Sequence, residues 1–353
     1  MGSRIKARKK TKTTNFFTNR KSKSSSRLAL IAIGVLILTI SLGKFVSFLN
    51  VLRTPFSEDL LVKKQYTWDD KTSINIAFKY KGISVLHYDP SDKKIVVLKI
   101  PDDAYLELPK GFGYWKVGSI YTLGQEESRP VGSELVKQSM AKLLGIPIDG
   151  FISINRDSDQ SLDSLILSLH NHPLKTLSFV KDIETDFTPL ETFSLIGAIS
   201  GARADNVALL DLAQSNITSS ELLPDSSRVL GIDSVRMDLF IRDKMADSQI
   251  SNEQVPIAIF NATAHPGLAA DAAREVTNLG GNVIFVSNTE KTIQKSIVTS
   301  TTPGLTTNRL TELFAPSCAK SACKSDDYHV NSSRAEINIV IGEDFYNDHY
   351  LRN

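Results

Sequence analysis

Two adjacent carboxylates, Asp102 and Asp103, follow Pro101 and the apolar run Ile95–Ile100. Carboxylates that lie close together can bind a metal ion or divide acid and base roles, because their pKa values separate. Adjacent residues at the end of an extended strand point to opposite faces of a sheet, so one shared site is not expected. Each aspartate is therefore a catalytic candidate by itself.

A loop with glycine and aromatic residues comes next, and its candidate ligand-binding residues are Tyr114, Trp115 and Lys116. Together with Phe112, the two aromatic side chains could line a groove for a sugar or a lipid. Aromatic side chains in such a loop can equally cover the hydrophobic core beside a sheet. The sequence favours this second interpretation.

Cysteine and histidine residues form two further patterns. Cys318 and Cys323 could close a small disulfide in an oxidising exterior, or they could be two free thiols. As a metal site this pair is two ligands short, with His329 the only nearby candidate. His170 and His172 could face one metal ion if the chain is extended there, but the end of a helix also favours histidine through its dipole. We therefore expect neither a metal nor another cofactor.

An apolar segment at residues 28–49 divides the chain by charge. It is long enough to span a bilayer, since about 20 apolar residues cross the ~30 Å hydrocarbon layer. Residues 1–27 hold ten of the 41 Lys and Arg residues and no acid, so 31 basic and 39 acidic residues remain and give the rest a net charge of −8. The positive-inside rule then predicts a disordered cytoplasmic tail and an extracytoplasmic body. Because no small-residue cleavage site follows the apolar core, we expect the segment to be retained as a single-pass anchor in the cell membrane.

Apolar runs and cap residues predict the elements of the body. Three strands of a β-meander are expected at Ile74–Phe78, Ile83–Tyr88 and Ile95–Ile100. A capping box at residues 188–191 begins a helix, and strand, helix and strand alternate from residue 255 to 287. The expected fold class is α/β and α+β, with a mixed, mostly antiparallel sheet followed by a small α/β domain.

The stretch 246–254 is polar and aperiodic, which indicates a domain boundary. The expected segments are a basic tail at 1–27, a transmembrane helix at 28–49, a stalk at 50–72, a first domain at 73–245, a linker at 246–254, a second domain at 255–346 and a tail at 347–353.

The second domain carries a motif in which an Asn-x-Thr turn follows a strand, Pro-Gly precedes a helix, and a last strand ends in Gly-x-Asp. The motif residues are Asn261, Thr263, Pro266, Gly267, Gly342 and Asp344. This pattern resembles the C-terminal domain of the LytR cell-envelope proteins. Ala262 stands where that family usually has glycine in the turn.

The first domain resembles a diverged LytR-CpsA-Psr domain. The resemblance rests on the stretches 100–103, 116–121 and 143–149, and it covers residues 73–155 better than residues 156–245. It implies similarity to phosphotransferases that attach glycopolymers from polyprenyl-pyrophosphate carriers to the cell wall. Such enzymes use magnesium, acidic residues and several arginines.

Most of the residues implied by this chemistry are missing. The loop Lys79-Tyr80-Lys81-Gly82 stands where the family has Asp and Arg, and Asp102 replaces the arginine of Pro-Arg-Asp, whereas Asp103 is retained. A hydrogen bond to a charged group contributes about 1.5–3 kcal/mol, so the loss of several arginines weakens any grip on pyrophosphate. The sequence therefore predicts a non-catalytic, envelope-facing binding or scaffold protein whose partner is an envelope polymer, a lipid-linked precursor or an envelope protein.

Two alternatives stay open. The first is an active phosphotransferase with a rearranged site, built from Lys79, Lys81, Asp102 and Asp103 with magnesium as its cofactor. The second is a cell-envelope-related transcriptional attenuator, which would need a cytoplasmic DNA reader. The 27 residues of the tail offer no helix-turn-helix, so no nucleic-acid partner is expected.

Overall fold

The computed structural model describes Lys44 and residues 67–128, 131–155, 160–171, 182–301, 303–316, 318 and 334–350. The expected basic tail, transmembrane helix and most of the stalk lie outside these residues, Lys44 excepted. Among the residues described, no helix is both long enough and apolar enough to cross a membrane. Every element below belongs to one compact unit, Leu52–Asn353.

The first half of this unit is built on a mixed sheet and two small hairpins. Its strands are β1 (Ile74–Lys79), β2 (Ile83–Asp89), β3 (Lys94–Ile100), β4 (Tyr105–Leu108), β5 (Gly113–Lys116), β6 (Gly150–Ile154), β7 (Ile183–Thr185), β8 (Val207–Asp211), β9 (Thr218–Leu222) and β10 (Arg228–Ile232). The strand order of the sheet is β7-β6-β1-β2-β3-β8, and the pairs β4-β5 and β9-β10 form the hairpins. The expected meander β1-β2-β3 is confirmed, because these strands pair antiparallel in chain order.

Helices cover both faces of this sheet. They are α1 (Ile120–Gln125), α2 (Gly132–Leu144), α3 (Leu162–Asn171), α4 (Pro189–Gly201), α5 (Ser234–Met245) and α6 (Ser248–Glu253). The capping box predicted for α4 is present, since Thr188 and Glu191 cap each other reciprocally. The helix α2 ends at Gly145, whose φ of 61° is the left-handed conformation that glycine adopts readily.

The pleat of the sheet divides the apolar side chains between two cores. Ala77 faces a core that contains residues of α2, α5 and α6. Its neighbour Ile76 faces a second core, which contains Leu195 and Ile199 of α4 together with Trp68. This period of two is the pattern that a sheet buried on both faces requires.

The second half is a smaller α/β layer pair. Its elements are β11 (Pro256–Asn261), α7 (Leu268–Asn278), β12 (Asn282–Asn288), β13 (Ile297–Ser300), α8 (Leu305–Phe314), β14 (Ile337–Ile341) and α9 (Glu343–Tyr350). The strand order is β12-β11-β14-β13, and β11 pairs parallel with both of its neighbours. All three helices contribute residues to one core against this sheet, including Val276, Leu310 and Phe345.

Four segments differ from their sequence-based expectation. The expected linker 246–254 contains α6, because Asp247 caps the helix at the amides of Gln249 and Ile250. Trp68, expected in the stalk, is buried in the body. The aromatic loop contains strand β5, and α9 begins within the expected second domain and runs into the expected tail.

Candidate functional site

The catalytic candidates lie at one end of the central strands β1, β2 and β3. β1 ends there, β2 begins there and β3 ends there, so the loop from Lys79 to Gly82 lies beside Asp102. A Cβ atom added to Gly82 would lie 3.2 Å from Asp102 Oδ1, and one added to Gly118 would lie 3.1 Å from Asp102 Cβ. Gly82 also has a φ of 147°, so both the space and the backbone favour glycine.

The backbone carbonyls of the two aspartates accept hydrogen bonds from different parts of the chain. The carbonyl of Asp102 accepts a hydrogen bond from the amide of Gly118 at 3.0 Å, whereas the carbonyl of Asp103 accepts one from the amide of Leu230 in β10 at 2.9 Å. Both residues are exposed. No group of three or more His, Cys, Asp or Glu side chains in the described part of the chain is placed to hold a metal ion.

The two lysines of the loop also differ. The ammonium of Lys79 lies 4.6 Å from the ring centroid of Tyr121, whose hydroxyl donates to Glu184 Oε2 at 3.0 Å. Burial and the nearby Glu184 raise the pKa of Tyr121 to about 12, so this phenol stays protonated near neutral pH. Lys81 is exposed and has a φ of 53°, and its ammonium lies 5.8 Å from the ring of Tyr80.

The aromatic residues form a platform on the β4-β5 hairpin, which begins directly after these aspartates. The rings of Tyr105 and Tyr114 lie 5.6 Å apart at an interplanar angle of 30°. Lys116 stands opposite Tyr105, and Glu107 stands opposite Tyr114, so these four side chains occupy one face of the hairpin. We call them the hairpin platform.

The expectation that this loop mainly covers the core is wrong for two of its aromatic residues. Tyr114 is 59% exposed and Trp115 is 41% exposed, because all four residues of β5 are exposed, whereas Leu106 and Leu108 of β4 are buried in the core. The indole of Trp115 donates to the carbonyl of Phe112 at 2.8 Å. Phe112 does pack against the core, as the sequence indicated.

Charged side chains surround the hairpin platform. Glu107 pairs with Lys142 of α2 at 3.0 Å. Hydrogen bonds from Ser227 and the charge of Lys116 lower the pKa of Asp225, in the turn between β9 and β10. Sequence reasoning did not select Tyr105 or Glu107, although their alternation on a short strand beside a glycine-rich turn is a hairpin signal.

The motif of the second half stabilises its own turn. Asn261 Oδ1 accepts from the amide and the hydroxyl of Thr263 at 3.1 and 2.8 Å, and its Nδ2 donates to the carbonyl of His265 at 2.7 Å. Ala262 is buried and is not among the residues with positive φ, so the turn does not require glycine there. Pro266 is exposed, and Gly267 has a φ of 93° where it precedes α7.

The end of the motif fixes the connection before β13. Asp344 accepts hydrogen bonds from the amide of Ser296 at 2.8 Å and from its hydroxyl at 2.6 Å. The same hydroxyl accepts from the amide of Gly342 at 2.9 Å. A Cβ atom on Gly342 would lie 2.7 Å from the backbone of Lys295, so the motif residues have structural reasons for their identity.

Cys318 is disulfide-bonded. The other cysteine of the chain, Cys323, lies outside the described residues, as does His172.

A buried ion pair joins the two halves. Arg309 of α8 donates from Nη2 to both carboxylate oxygens of Asp149 at 2.9 Å, and the two side chains are 1% and 0% exposed. Asp149 Oδ2 also accepts from the amide of Asn75 in β1 at 2.7 Å. Leu279 and Leu313 of the second half pack in the first core, which makes the junction apolar as well as ionic.

A second polar contact lies at the end of α2. Arg274 of α7 pairs with Asp238 of α5 at 2.8 Å and donates to the carbonyls of Lys142 and Leu143. Asn278 donates to the carbonyl of Leu144 at 3.2 Å. Arginines of this chain therefore hold the two halves together.

The second half matches a known family model. Residues 254–345 match LytR_C, which is described as LytR cell envelope-related transcriptional attenuator. This region is of the LytR_C type. The resemblance drawn from the Asn-x-Thr, Pro-Gly and Gly-x-Asp motif is thereby confirmed.

Solved structures of low similarity match about half of the chain. TagT of Bacillus subtilis is 14% identical, with a TM-score of 0.36 over 53% of this chain and 96% of TagT. TagV of B. subtilis is 16% identical, with a TM-score of 0.39 over 48% of this chain and 94% of TagV. The LytR-CPS2A-psr family protein YwtF (TagT) with bound octaprenyl pyrophosphate lipid is 14% identical, with a TM-score of 0.36 over 54% of this chain and 98% of that protein. Similarity at this level carries no functional argument, and no curated protein gives a significant match to the chain.

Proposed function

We propose that this chain is a membrane-anchored, envelope-facing binding protein whose hairpin platform binds a glycopolymer of the cell envelope. The observation that carries the proposal is the pair of tyrosine rings on β4-β5, in which Tyr114 is exposed and Tyr105 is partly buried, flanked by Lys116 and Glu107. Each tyrosine combines a flat apolar face with a polar tip, which suits the apolar face and the hydroxyl groups of a sugar ring. The lysine and the glutamate add a donor and an acceptor for those hydroxyls.

The hairpin platform lies next to the end of β3, where Asp102 lies. A chain of several sugar units could therefore contact both places. Gly118, two residues after β5, is in contact with Asp102 and donates to its carbonyl. The exposed Lys81, Asp102 and Asp103 therefore offer further polar contacts beyond the rings. A polymer that carries both neutral sugars and charged groups is the partner that this mixture suits.

The use of arginine supports a non-catalytic role. Grip on a pyrophosphate relies on the bidentate fork of arginine. The described arginines with side-chain contacts to the protein make them elsewhere: Arg203 with Asp205, Arg236 with Asp233, Arg242 with Asn278, Arg274 with Asp238 and Arg309 with Asp149. The cations of the candidate loop are lysines, and Lys79 already lies over the ring of Tyr121.

The competing function is phosphotransfer at Lys79, Lys81, Asp102 and Asp103. The observation in its favour is that the fold brings this loop and Asp102 into contact. Magnesium prefers six oxygen ligands in octahedral geometry. The exposed Asp102 and Asp103 do not form a preorganised set with a third ligand among the described residues, so no step of the proposal involves the metal.

The experiment is a binding measurement with the full chain in detergent micelles against an array of bacterial envelope polysaccharides. Tyr114→Ala should weaken binding about tenfold, which corresponds to about 1.4 kcal/mol. Leu222→Ala is the matched control, because Leu222 is also exposed on a hairpin but lies outside the platform.

Equal binding by Tyr114→Ala and the parent chain would place the polymer elsewhere.

The proposal that the chain is not a phosphotransferase has its own test, in which the chain is incubated with polyprenyl pyrophosphate and magnesium. Phosphate release that Asp103→Ala abolishes would replace the binding proposal with the phosphotransferase.

A further inference from the structure

The hairpin platform continues onto the second hairpin, β9-β10. Ala104, the residue before β4, forms a parallel bridge with Leu230 of β10, and the amide of Leu230 donates to the carbonyl of Asp103 at 2.9 Å. The four strands therefore lie side by side in the order β5-β4-β10-β9. One extended surface joins the two hairpins beside the pair of tyrosine rings.

Strand register shows which side chains share the face of the tyrosine rings. Side chains alternate between the two faces of a strand. Leu106 of β4 is buried in the core, and Ile232 of β10 packs against the same core. The residues just before them, Tyr105 and Gly231, therefore share the opposite face. Glu221 of β9 pairs with the residue two positions before Gly231, so it points to this face as well.

The carboxylate of Glu221 lies over Gly231. A Cβ atom added to Gly231 would overlap Glu221 Oε1, so the absence of a side chain leaves the space that the carboxylate occupies. Glu221 is exposed, and none of the residues that the structure describes forms an ion pair or a hydrogen bond with its carboxylate. Lys116, the cation of the hairpin platform, lies on β5, three strand spacings away, which is roughly 14 Å. Glu221 is therefore available to a ligand.

The position of this carboxylate predicts which part of a ligand it contacts. β4 with Tyr105 is adjacent to β10 with Gly231, and neighbouring strands are about 4.8 Å apart. A sugar ring that stacks on Tyr105 would therefore have the substituents of one edge beside Glu221. An ionised carboxylate only accepts hydrogen bonds, so the matching substituent is a donor. A cationic donor gains most, because a hydrogen bond between charged groups is roughly twice as strong as a neutral one.

We propose that Glu221 selects a sugar unit with a free ammonium group, so that the glycopolymer bound at the hairpin platform contains unacetylated amino sugars. This inference rests on the proposed function, because the tyrosine rings must first bind the sugar. It adds the substrate class and makes Glu221 the specificity-determining residue. An N-acetyl group at the same position removes the positive charge and with it the charge-assisted hydrogen bond.

The test compares two oligosaccharides that share one backbone. The β-1,4-linked hexamer of glucosamine carries free amines, whereas the hexamer of N-acetylglucosamine carries none. Binding of each hexamer to the full chain in detergent micelles is measured by isothermal titration calorimetry at mildly acidic pH, where the amines are protonated. We expect the parent chain to bind the glucosamine hexamer about ten times more tightly than the acetylated hexamer.

Three variants assign this preference to Glu221. Glu221→Gln keeps the shape of the side chain and removes its charge, so affinity for the glucosamine hexamer should fall about tenfold and affinity for the acetylated hexamer less than twofold. Gly231→Ala should have the same effect, because only the flexible end of the Glu221 side chain stands in the way of the new Cβ and is displaced. Glu290→Gln is the matched control, since Glu290 is exposed in the second half, and it should leave both affinities unchanged.

The outcomes separate this inference from the proposed function. Equal affinity of the parent chain for both hexamers, no binding of the glucosamine hexamer, or an unchanged preference in Glu221→Gln would refute the inference. A preference lost equally in Glu290→Gln would indicate general charge attraction and would refute it too. Weaker binding of both hexamers by Tyr114→Ala would leave the proposed function standing in these cases. Unchanged binding of both hexamers by Tyr114→Ala would refute the proposed function, and this inference with it.

Discussion

The buried pair between Arg309 and Asp149 allows a quantitative test of how the two halves depend on each other. Arg309→Met keeps an apolar side chain of similar length but leaves a carboxylate that is 0% exposed without its cation. Breaking a buried ion pair by removal of one partner destabilises a protein by about 3–5 kcal/mol. The amide of Asn75 still donates to Asp149 at 2.7 Å, so we expect a loss near the lower limit, about 3 kcal/mol.

The assay is guanidinium unfolding of the full chain in micelles, followed by the fluorescence of the buried Trp68. Arg203→Met serves as the control, because Arg203 and Asp205 form an exposed pair whose loss changes stability by about 0–1 kcal/mol. The variant Asp149→Asn removes the negative charge of the same ion pair and leaves the guanidinium of Arg309 opposite a neutral amide.

The double variant of Arg309→Met and Asp149→Asn should lose less stability than the sum of its two single variants, since no unpaired buried charge is left. Hydrogen exchange in α8 should rise in Arg309→Met, because α8 supplies the arginine. Two results would refute the idea that this pair joins the halves. One is a double variant whose loss in free energy of unfolding equals the sum of the two single losses, and the other is a loss below about 0.5 kcal/mol for Arg309→Met.

Two further predictions concern the first half of the unit. Gly82→Ala should destabilise the fold by about 1–2 kcal/mol, because the φ of 147° is strained for alanine and the new Cβ would lie 3.2 Å from Asp102 Oδ1. Gly197→Ala in α4 is the control: its Cβ would meet nothing within 4 Å, so it should stabilise the fold by up to about 1 kcal/mol in the same unfolding assay. Burial lowers the pKa of His87 from 6.5 to about 4. Between these two pH values the unfolded chain binds a proton that the folded chain does not. The free energy of unfolding should therefore fall by up to about 3 kcal/mol as the pH falls from 6.5 to 4. His87→Gln should flatten this dependence, and an unchanged pH profile in that variant would show that another group causes it.

Local sequence signals were sufficient for many of the regular elements, but not for β4, β5, α6 or α9. β-branched runs predicted β2 and β3, and the capping box of Thr188 and Glu191 predicted the start of α4. These signals succeed because each depends on residues that are close in the chain. The strands β4 and β5 have only four residues each, so their alternation of apolar and polar side chains is short. Two glycines in the same stretch indicate a loop, and the sequence therefore predicted a loop there.

The site was less predictable than the fold. The sequence selected Tyr114, Trp115 and Lys116, but the partner ring of Tyr105 follows from strand register, which no local pattern supplies. The contact between Gly82 and Asp102 joins residues twenty positions apart and depends on the antiparallel meander. The hydrogen bonds of Asn261, Thr263 and Asp344 explain these motif residues as turn and connection residues.

The contacts at the end of α2 give the LytR_C region a role in the geometry of the hairpin platform. Arg274 donates to the carbonyl of Lys142 at 2.7 Å, and the ammonium of Lys142 pairs with Glu107 of β4 at 3.0 Å. Glu107 stands opposite Tyr114 in the hairpin, so the end of α2 contacts both α7 and the hairpin platform. Lys142 and Glu107 are each about half exposed, so their ion pair contributes about 0–1 kcal/mol, and the second half affects the proposed binding surface mainly through the position of α2.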